Sequence, residues 1–361
     1  MSWLLAFAGF ALLVILHELG HFAVAKWVGM RVEKFSLFFP PTLASKKIGE
    51  TEYAIGAIPA GGYVRISGMN PSEDLPDEVR TRAYHAQPVW KRMAVIAAGP
   101  AVNLIVALML FVVFFWLIGG KTNPVTAQVD KIERGYPAAE VLKPGDTLIA
   151  VDGVRGKPET LSKEISSHEC AGEPTDGCKA STPARLTIDR DGKRVVEEVA
   201  PIYDDYPGVK RTRLGFSYMP GPRETLPLGD AVTTSLDRFW FIAQETVKLP
   251  ARIFDAEQRK EISGIVGSYE MTRQTIVDDL ADTIGILAII SLSLAIVNLF
   301  PFLPLDGGHI FWAAVEKLRG GKPVPFSVME RAGVVGFMLV IGLFAIGLTN
   351  DIGRLSDGGF R

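Results

Sequence analysis

Two histidines and a glutamate stand in the spacing H-E-x-x-H, as His17-Glu18-Leu19-Gly20-His21. On a helix, positions four apart stack on one face, so both imidazoles can reach a single cation while the adjacent carboxylate projects beside them. That set suits zinc, with Glu18 as the base that activates water for hydrolysis. A catalytic zinc takes a third protein ligand and leaves one position open. The candidate is Asp306, in the stretch Asn298-Leu-Phe-Pro-Phe-Leu-Pro-Leu-Asp306-Gly-Gly-His309. There Pro301 and Pro304 break a helix and the two glycines free the backbone, so a carboxylate can be turned into a cavity. His309 is the rival ligand.

The elements that must carry these residues are membrane helices. Of 361 residues 48% are apolar, and the mean hydropathy is +0.22, too high for an ordinary soluble enzyme of this size. Four nearly uncharged runs hold the excess: 1–25, 93–120, 283–305 and 332–350. Each is long enough, or nearly so, to cross about 30 Å of hydrocarbon. Imidazoles and carboxylates inside such runs each cost several kcal/mol unless a ligand or partner satisfies them, which marks the H-E-x-x-H as a site. The first run lacks the basic start and small-residue cleavage site of a secretory signal.

Lys26, Arg31 and Lys34 follow the first run, Arg80, Arg82, Lys91 and Arg92 precede the second, and Lys317, Arg319, Lys322 and Arg331 lie between the last two. By the positive-inside rule those loops are cytoplasmic, which places 121–282 and both termini outside, in a bacterial periplasm. A net charge of -2 without a basic run argues against a nucleic-acid partner.

Between the spans, 26–92 contains a hairpin signal at about 52–68, with β-favouring Tyr, Ile and Val around a Pro-Ala-Gly-Gly turn at 59–62. It is either an ordinary cytoplasmic hairpin or a strand pair dipping toward the membrane site. The outer segment reads as a small α+β domain over 121–219. Strands are expected at 128–132, 147–151, 184–190, 195–199 and 213–218, with an Asp191-Gly192 hairpin turn. Cys170 and Cys178 lie in a loop-like insert there, and an oxidising compartment would pair them. Residues 220–282 open as a Pro/Gly linker. An apolar stripe over 230–248 then faces either the outer leaflet or protein.

Three separated motifs together resemble the site-2 proteases, and more narrowly the bacterial regulator-of-sigma-E type. They are His17 to His21, the G-P-x-x-N of Gly99, Pro100 and Asn103, and the N-x-x-P-x-x-x-x-D-G of Asn298, Pro301, Asp306 and Gly307. The segment Gly135-Tyr-Pro-Ala-Ala139 with Gly145-Asp146 and Asp152-Gly153 resembles a PDZ domain. The resemblance implies an α-helical polytopic membrane protein of four transmembrane helices, with a membrane-associated β-hairpin and one inserted periplasmic PDZ-like domain. The remaining parts are a cytoplasmic segment at 306–331 and a periplasmic tail at 351–361.

It further implies an inner-membrane zinc metalloprotease that cuts transmembrane segments of single-span proteins, with its site toward the cytoplasmic side. Substrates would be membrane anti-sigma factors already trimmed by a site-1-type protease, or remnant signal peptides. Gly61, Gly62, Tyr63 and Val64 would grip substrate, as would Asn298; Asn103 reads more simply as a bond between helices. Two departures stand out: there is room for one PDZ-like domain where two are familiar, and Ser263-Gly-Ile-Val-Gly267 lacks the family's proline. The rival readings are a catalytically inactive membrane-anchored PDZ scaffold and a zinc transporter.

Overall fold

The structure, a computed structural model, describes residues 2–70, 73–206 and 209–356. The chain forms two compact units, Leu117–Leu226 and the remainder on either side of it.

The larger unit contains α1 (Ser2–Trp27), strands β1 (Val32–Ile48) and β2 (Thr51–Ile66), α2 (Val89–Val113), α3 (Leu228–Val247), α4 (Ile265–Asp278), α5 (Asp282–Asn298), α6 (Asp306–Leu318) and α7 (Phe326–Ser356). Residues 114–118 extend α2 by one wider π-helical turn. Among the described residues three helices, at 2–27, 89–118 and 327–355, are long and apolar enough to cross a membrane. The third expected span is shorter than the sequence suggests, ending at Asn298 rather than Leu305. Pro301 and Pro304 lack the amide hydrogens a continuing helix needs. At about 1.5 Å per residue the 17 residues of α5 cover roughly 25 Å. The last helix instead continues past the expected tail boundary to Ser356, and 357–361 lie outside the described residues.

Small residues set the helix contacts. A side chain at Gly20 would place its Cβ 2.6 Å from the carbonyl oxygen of Ala98, so α1 and α2 touch backbone to backbone there. Further along, Ala107 and Phe111 of α2 pack with Ala288, Leu292 and Ile296 of α5 and with Ile242 of α3. Of the expected stripe on α3, Phe239 and Ala243 pack against this cluster, while Leu236, Trp240 and Val247 are exposed. The fully buried Asp351 of α7 accepts hydrogen bonds from the Gly264 and Gly267 amides and from Ser263 Oγ. This carboxylate closes the amino-terminal end of α4, where free amides and the helix dipole favour an anion.

β1 and β2 reverse at Gly49-Glu50, where Gly49 has a φ of +62°, and β2 turns back once more between residues 55 and 62, around the expected turn, although its two arms do not pair with each other. The Pro-Ala-Gly-Gly stretch lies at that bend of β2. Residues 34–37 have partners on two sides, 52–55 on one and 62–65 on the other, so the ribbon folds back into a small sheet with 34–37 in its middle. Residues 62–65 form one edge, just beyond the bend that carries the proline and glycines.

In the second unit, strands 147–151, 184–190 and 193–199 pair in sequence order, with 154–155 beyond the first of them, all antiparallel. Asp152-Gly153 and Asp191-Gly192 all have positive φ, as two-residue hairpin turns require. A second pairing joins 216–218 to 129–132, a third joins 120–121 to 223–224, and 202–206 pairs antiparallel with 209–213, which the sequence did not suggest. Val129, Leu148, Leu161, Leu186, Ile188 and Leu214 form the core. Cys170 and Cys178 are paired as a disulfide, with Cα atoms 6.3 Å apart.

Candidate active site

His17 and His21 lie one turn apart on α1, both buried, with their rings edge to face and centroids 4.9 Å apart. Asp306, the first residue of α6, meets them from the other end of the chain. Its Oδ2 is 3.1 Å from His17 Nε2 and 3.4 Å from His21 Nε2, and the two Nε2 atoms are 3.3 Å apart. Among the described residues these three form the group that could hold a metal ion, and His309 is not part of it.

The arrangement fits zinc on two independent counts. A tetrahedral centre with bonds of about 2.0–2.1 Å has ligand-to-ligand edges of about 3.3–3.4 Å, close to all three separations. The second count is the hydrogen bonding behind the rings. His21 Nδ1 lies 2.8 Å from the Val95 carbonyl, which can only accept, so Nδ1 carries the hydrogen. In the neutral ring Nε2 then points a lone pair at a carboxylate oxygen and at another imidazole nitrogen. Lone pairs facing one another at these distances repel unless a cation stands between them.

The supporting residues come from α2. Val95, Gly99 and Asn103 are spaced by four and share the face turned to α1. A Cβ at Gly99 would sit 2.2 Å from His21 Nε2, so only glycine leaves room for that ring. Asn103, fully buried, places Nδ2 3.3 Å from His17 Nδ1, while its Oδ1 has no partner. Rotating the amide by half a turn presents Oδ1 to an Nδ1–H, the tautomer a ligating Nε2 needs. Asn103, read from sequence as a bond between helices, thus reaches the site itself. The sequence signal was its spacing from Gly99, but no local pattern reveals which histidine it meets.

Glu18 lines a cavity of about 460 Å³ together with His17, His21, Asn298, Asp306 and His309. Gly61, Gly62, Tyr63 and Val64 line the same space. The Val64 amide bonds to the Glu18 carboxylate, and a Cβ on Gly62 would come within 3.0 Å of Glu18 Cγ. The edge of the small sheet therefore lies directly against the prospective base. On the far side Gly307 and Gly308 pack on loop backbone: added Cβ atoms would lie 2.1 Å from the Leu299 oxygen and 2.5 Å from the Leu303 nitrogen. Deeper along the same interface, Arg92 of α2 pairs with Glu316 of α6.

Two imidazoles, a carboxylate and an adjacent glutamate in an apolar helical body define a membrane-embedded zinc metalloprotease. The chain belongs to peptidase family M50, the site-2 proteases, whose family model matches residues 5–343. It is 30% identical to zinc metalloprotease Rip1 of Mycobacterium tuberculosis, over 94% of each chain. A Brucella suis relative is 31% identical over 94% of this chain and 92% of its own, and one from Clostridium perfringens is 30% identical over 98% of both. Both are likewise named as zinc metalloproteases.

Proposed function

We propose that this protein hydrolyses peptide bonds within the transmembrane segments of single-span membrane proteins, with zinc held by His17, His21 and Asp306 and with Glu18 as the base. The observation that carries the reading is the near-tetrahedral spacing of the three donor atoms beside a glutamate, in a cavity bordered by an open strand. Bound zinc supplies Lewis acidity, acidifying water and polarising a carbonyl. Glu18 takes a proton from water as the water oxygen bonds to the scissile carbonyl carbon and the π pair moves onto the carbonyl oxygen. When that pair returns, the C–N bond breaks and Glu18 passes its proton to the departing amine.

A membrane helix hides its own carbonyls in hydrogen bonds, so it must open before hydrolysis. Residues 61–64 of β2 receive the opened segment by strand addition, which replaces helix bonds with sheet bonds. Asn298, the last residue of α5, lines the cavity and bonds substrate backbone. The protein resides in a bacterial inner membrane with four spans, α5 being the short one. Residues 121–219 form a periplasmic PDZ-like filter on substrates that an upstream protease has trimmed. His17 lies ten residues, roughly 15 Å, from the carboxy-terminal end of α1, which the flanking lysines and arginines place in the cytoplasm.

Glu18→Gln tests the assignment. The purified variant is expected to keep its fold and zinc content and to lose cleavage of a single-span test protein by at least about 10²-fold, the usual scale of general-base catalysis. Cleavage at the normal rate would remove Glu18 as the base.

A further inference from the structure

One half-buried imidazole in the cavity has no part in the scheme above. His309 lines the same space as Glu18 and Asp306, yet among the described residues it makes no hydrogen bond or ion pair. Its place follows from the Asp-Gly-Gly-His order. On α6, positions 306 and 309 share a face, while the glycines between them press against backbone of residues 299–303. That packing fixes the rotation of the helix and turns both Asp306 and His309 into the cavity. The ionisable neighbours of His309 are Asp306 and His21; those of Glu18 are His21, His17 and Asp306. Glu18 is not among the ionisable neighbours of His309, so the base and the spare imidazole do not stand together.

We infer that His309 is a second catalytic residue, donating a hydrogen bond to the scissile carbonyl oxygen as that atom gains charge. This deepens the proteolytic reading and rests on it. Water gives its proton to Glu18 as it adds, so the carbonyl oxygen receiving the π pair needs a different donor lining the same cavity. A ring nitrogen in the cavity without a protein partner among the described residues is a donor already in place. No new bond is formed by His309, and the electron and proton balance is that already given.

The test uses the full chain in detergent micelles and compares wild type with His309→Gln, His309→Asn and His309→Phe. Four quantities are read: bound zinc, kcat and KM on a single-span test protein, and the affinity of a phosphinic peptide, whose tetrahedral oxygens imitate the charged carbonyl. Zinc content is expected to be unchanged. In His309→Phe, kcat should fall about 10²–10³-fold, as for loss of one oxyanion donor. KM should move less than about threefold, and phosphinic peptide affinity should fall in step with kcat. The Gln and Asn variants, which retain an N–H, should recover part of both, and they carry the test should the Phe variant fail to fold.

Unchanged kcat, loss of zinc in the Gln and Asn variants, or a phosphinic affinity that ignores the substitution would each overturn the proposal. Glu18→Gln run alongside separates the two readings, because cleavage that survives it removes the proteolytic assignment itself, whatever His309 does.

Discussion

The two halves of the candidate metal site are built on different principles. His17 and His21 are brought together by the helical repeat alone, and each is held from behind by α2: His21 through the Val95 carbonyl and the space at Gly99, His17 through Asn103. Asp306 has no such local partner. It arrives across 289 residues of sequence, held by a broken loop, two glycines pressed on backbone, and an ion pair ten residues further along α6. The histidine half is therefore prearranged by secondary structure, whereas the aspartate half exists only when tertiary packing is complete. Damage to the first half should act through the rings, and damage to the second through the position of a whole helix.

The sharpest way to break this contrast is Gly99→Ala. Its Cβ would overlap the His21 ring, which can swing away more easily than backbone can move, so the fold should survive and the metal should not. Zinc affinity is expected to fall further than the roughly 10–100-fold typical of lost outer-shell partners. Equilibrium zinc competition, with circular dichroism to check the helices, reads both expectations. Asn103→Ala comes next. It removes the partner of His17 Nδ1 without adding atoms, and should cost zinc affinity about 10–100-fold. Gln at position 103 should not rescue it, because the longer amide does not fit a fully buried contact between helices.

The same contrast decides what was legible in the amino-acid order. The spacing of His17, Glu18 and His21 is a local fact, and so is the break around Asp306; both can be read without knowing the fold. What Gly99 and Asn103 touch depends on the rotation of α2 against α1, set by the contact of Ala98 with the distant Gly20, and no periodicity reports it. The small sheet shows a different failure. Pro59-Ala-Gly-Gly62 lies where β2 turns back, but the returning residues 62–65 pair with 34–37 and not with 52–55, which brings the glycine at 62 against Glu18, and a further reversal falls at Gly49. Likewise hydropathy carries the expected α5 on through its prolines, where helical hydrogen bonding cannot follow. In the second unit the Asp-Gly pairs were informative, since their positive φ is a local requirement of the turn, whereas the 202–213 hairpin lacks alternating apolar residues.

The aspartate half can be loosened more gently. Arg92 Nη2 and Glu316 Oε1 are 2.5 Å apart, with both side chains largely shielded from solvent. Arg92→Ala leaves a shielded carboxylate without its partner, at a cost of about 1–3 kcal/mol. It should lower the temperature at which α6 detaches and reduce zinc occupancy less than Asn103→Ala does. The reversed pair, Arg92→Glu with Glu316→Arg, should recover much of that loss if the charges matter as a pair. No recovery would mean that α6 is positioned by Gly307 and Gly308 alone.

The smallest effect belongs to the second unit, where a comparable ion pair has no metal site to support. Asp146 accepts two hydrogen bonds from Arg190, at 2.9 and 2.6 Å, and one from the Lys143 amide. The Arg190 bonds hold its carboxyl below the usual range, against the opposing effect of burial. Below about pH 3.9 the unfolded chain binds a proton that the folded one resists, so stability there rises with pH. The contribution is fully present above the unfolded value and is lost as pH falls through the lower folded value. Amide exchange protection at 147–151 and 184–190 in the whole protein should therefore drop between pH 5 and pH 3. In Asp146→Asn the part due to this group should vanish, leaving a flatter profile on a lower baseline, with zinc affinity at neutral pH unaltered. An equal drop in both proteins would show that other carboxylates govern the acid response of this unit.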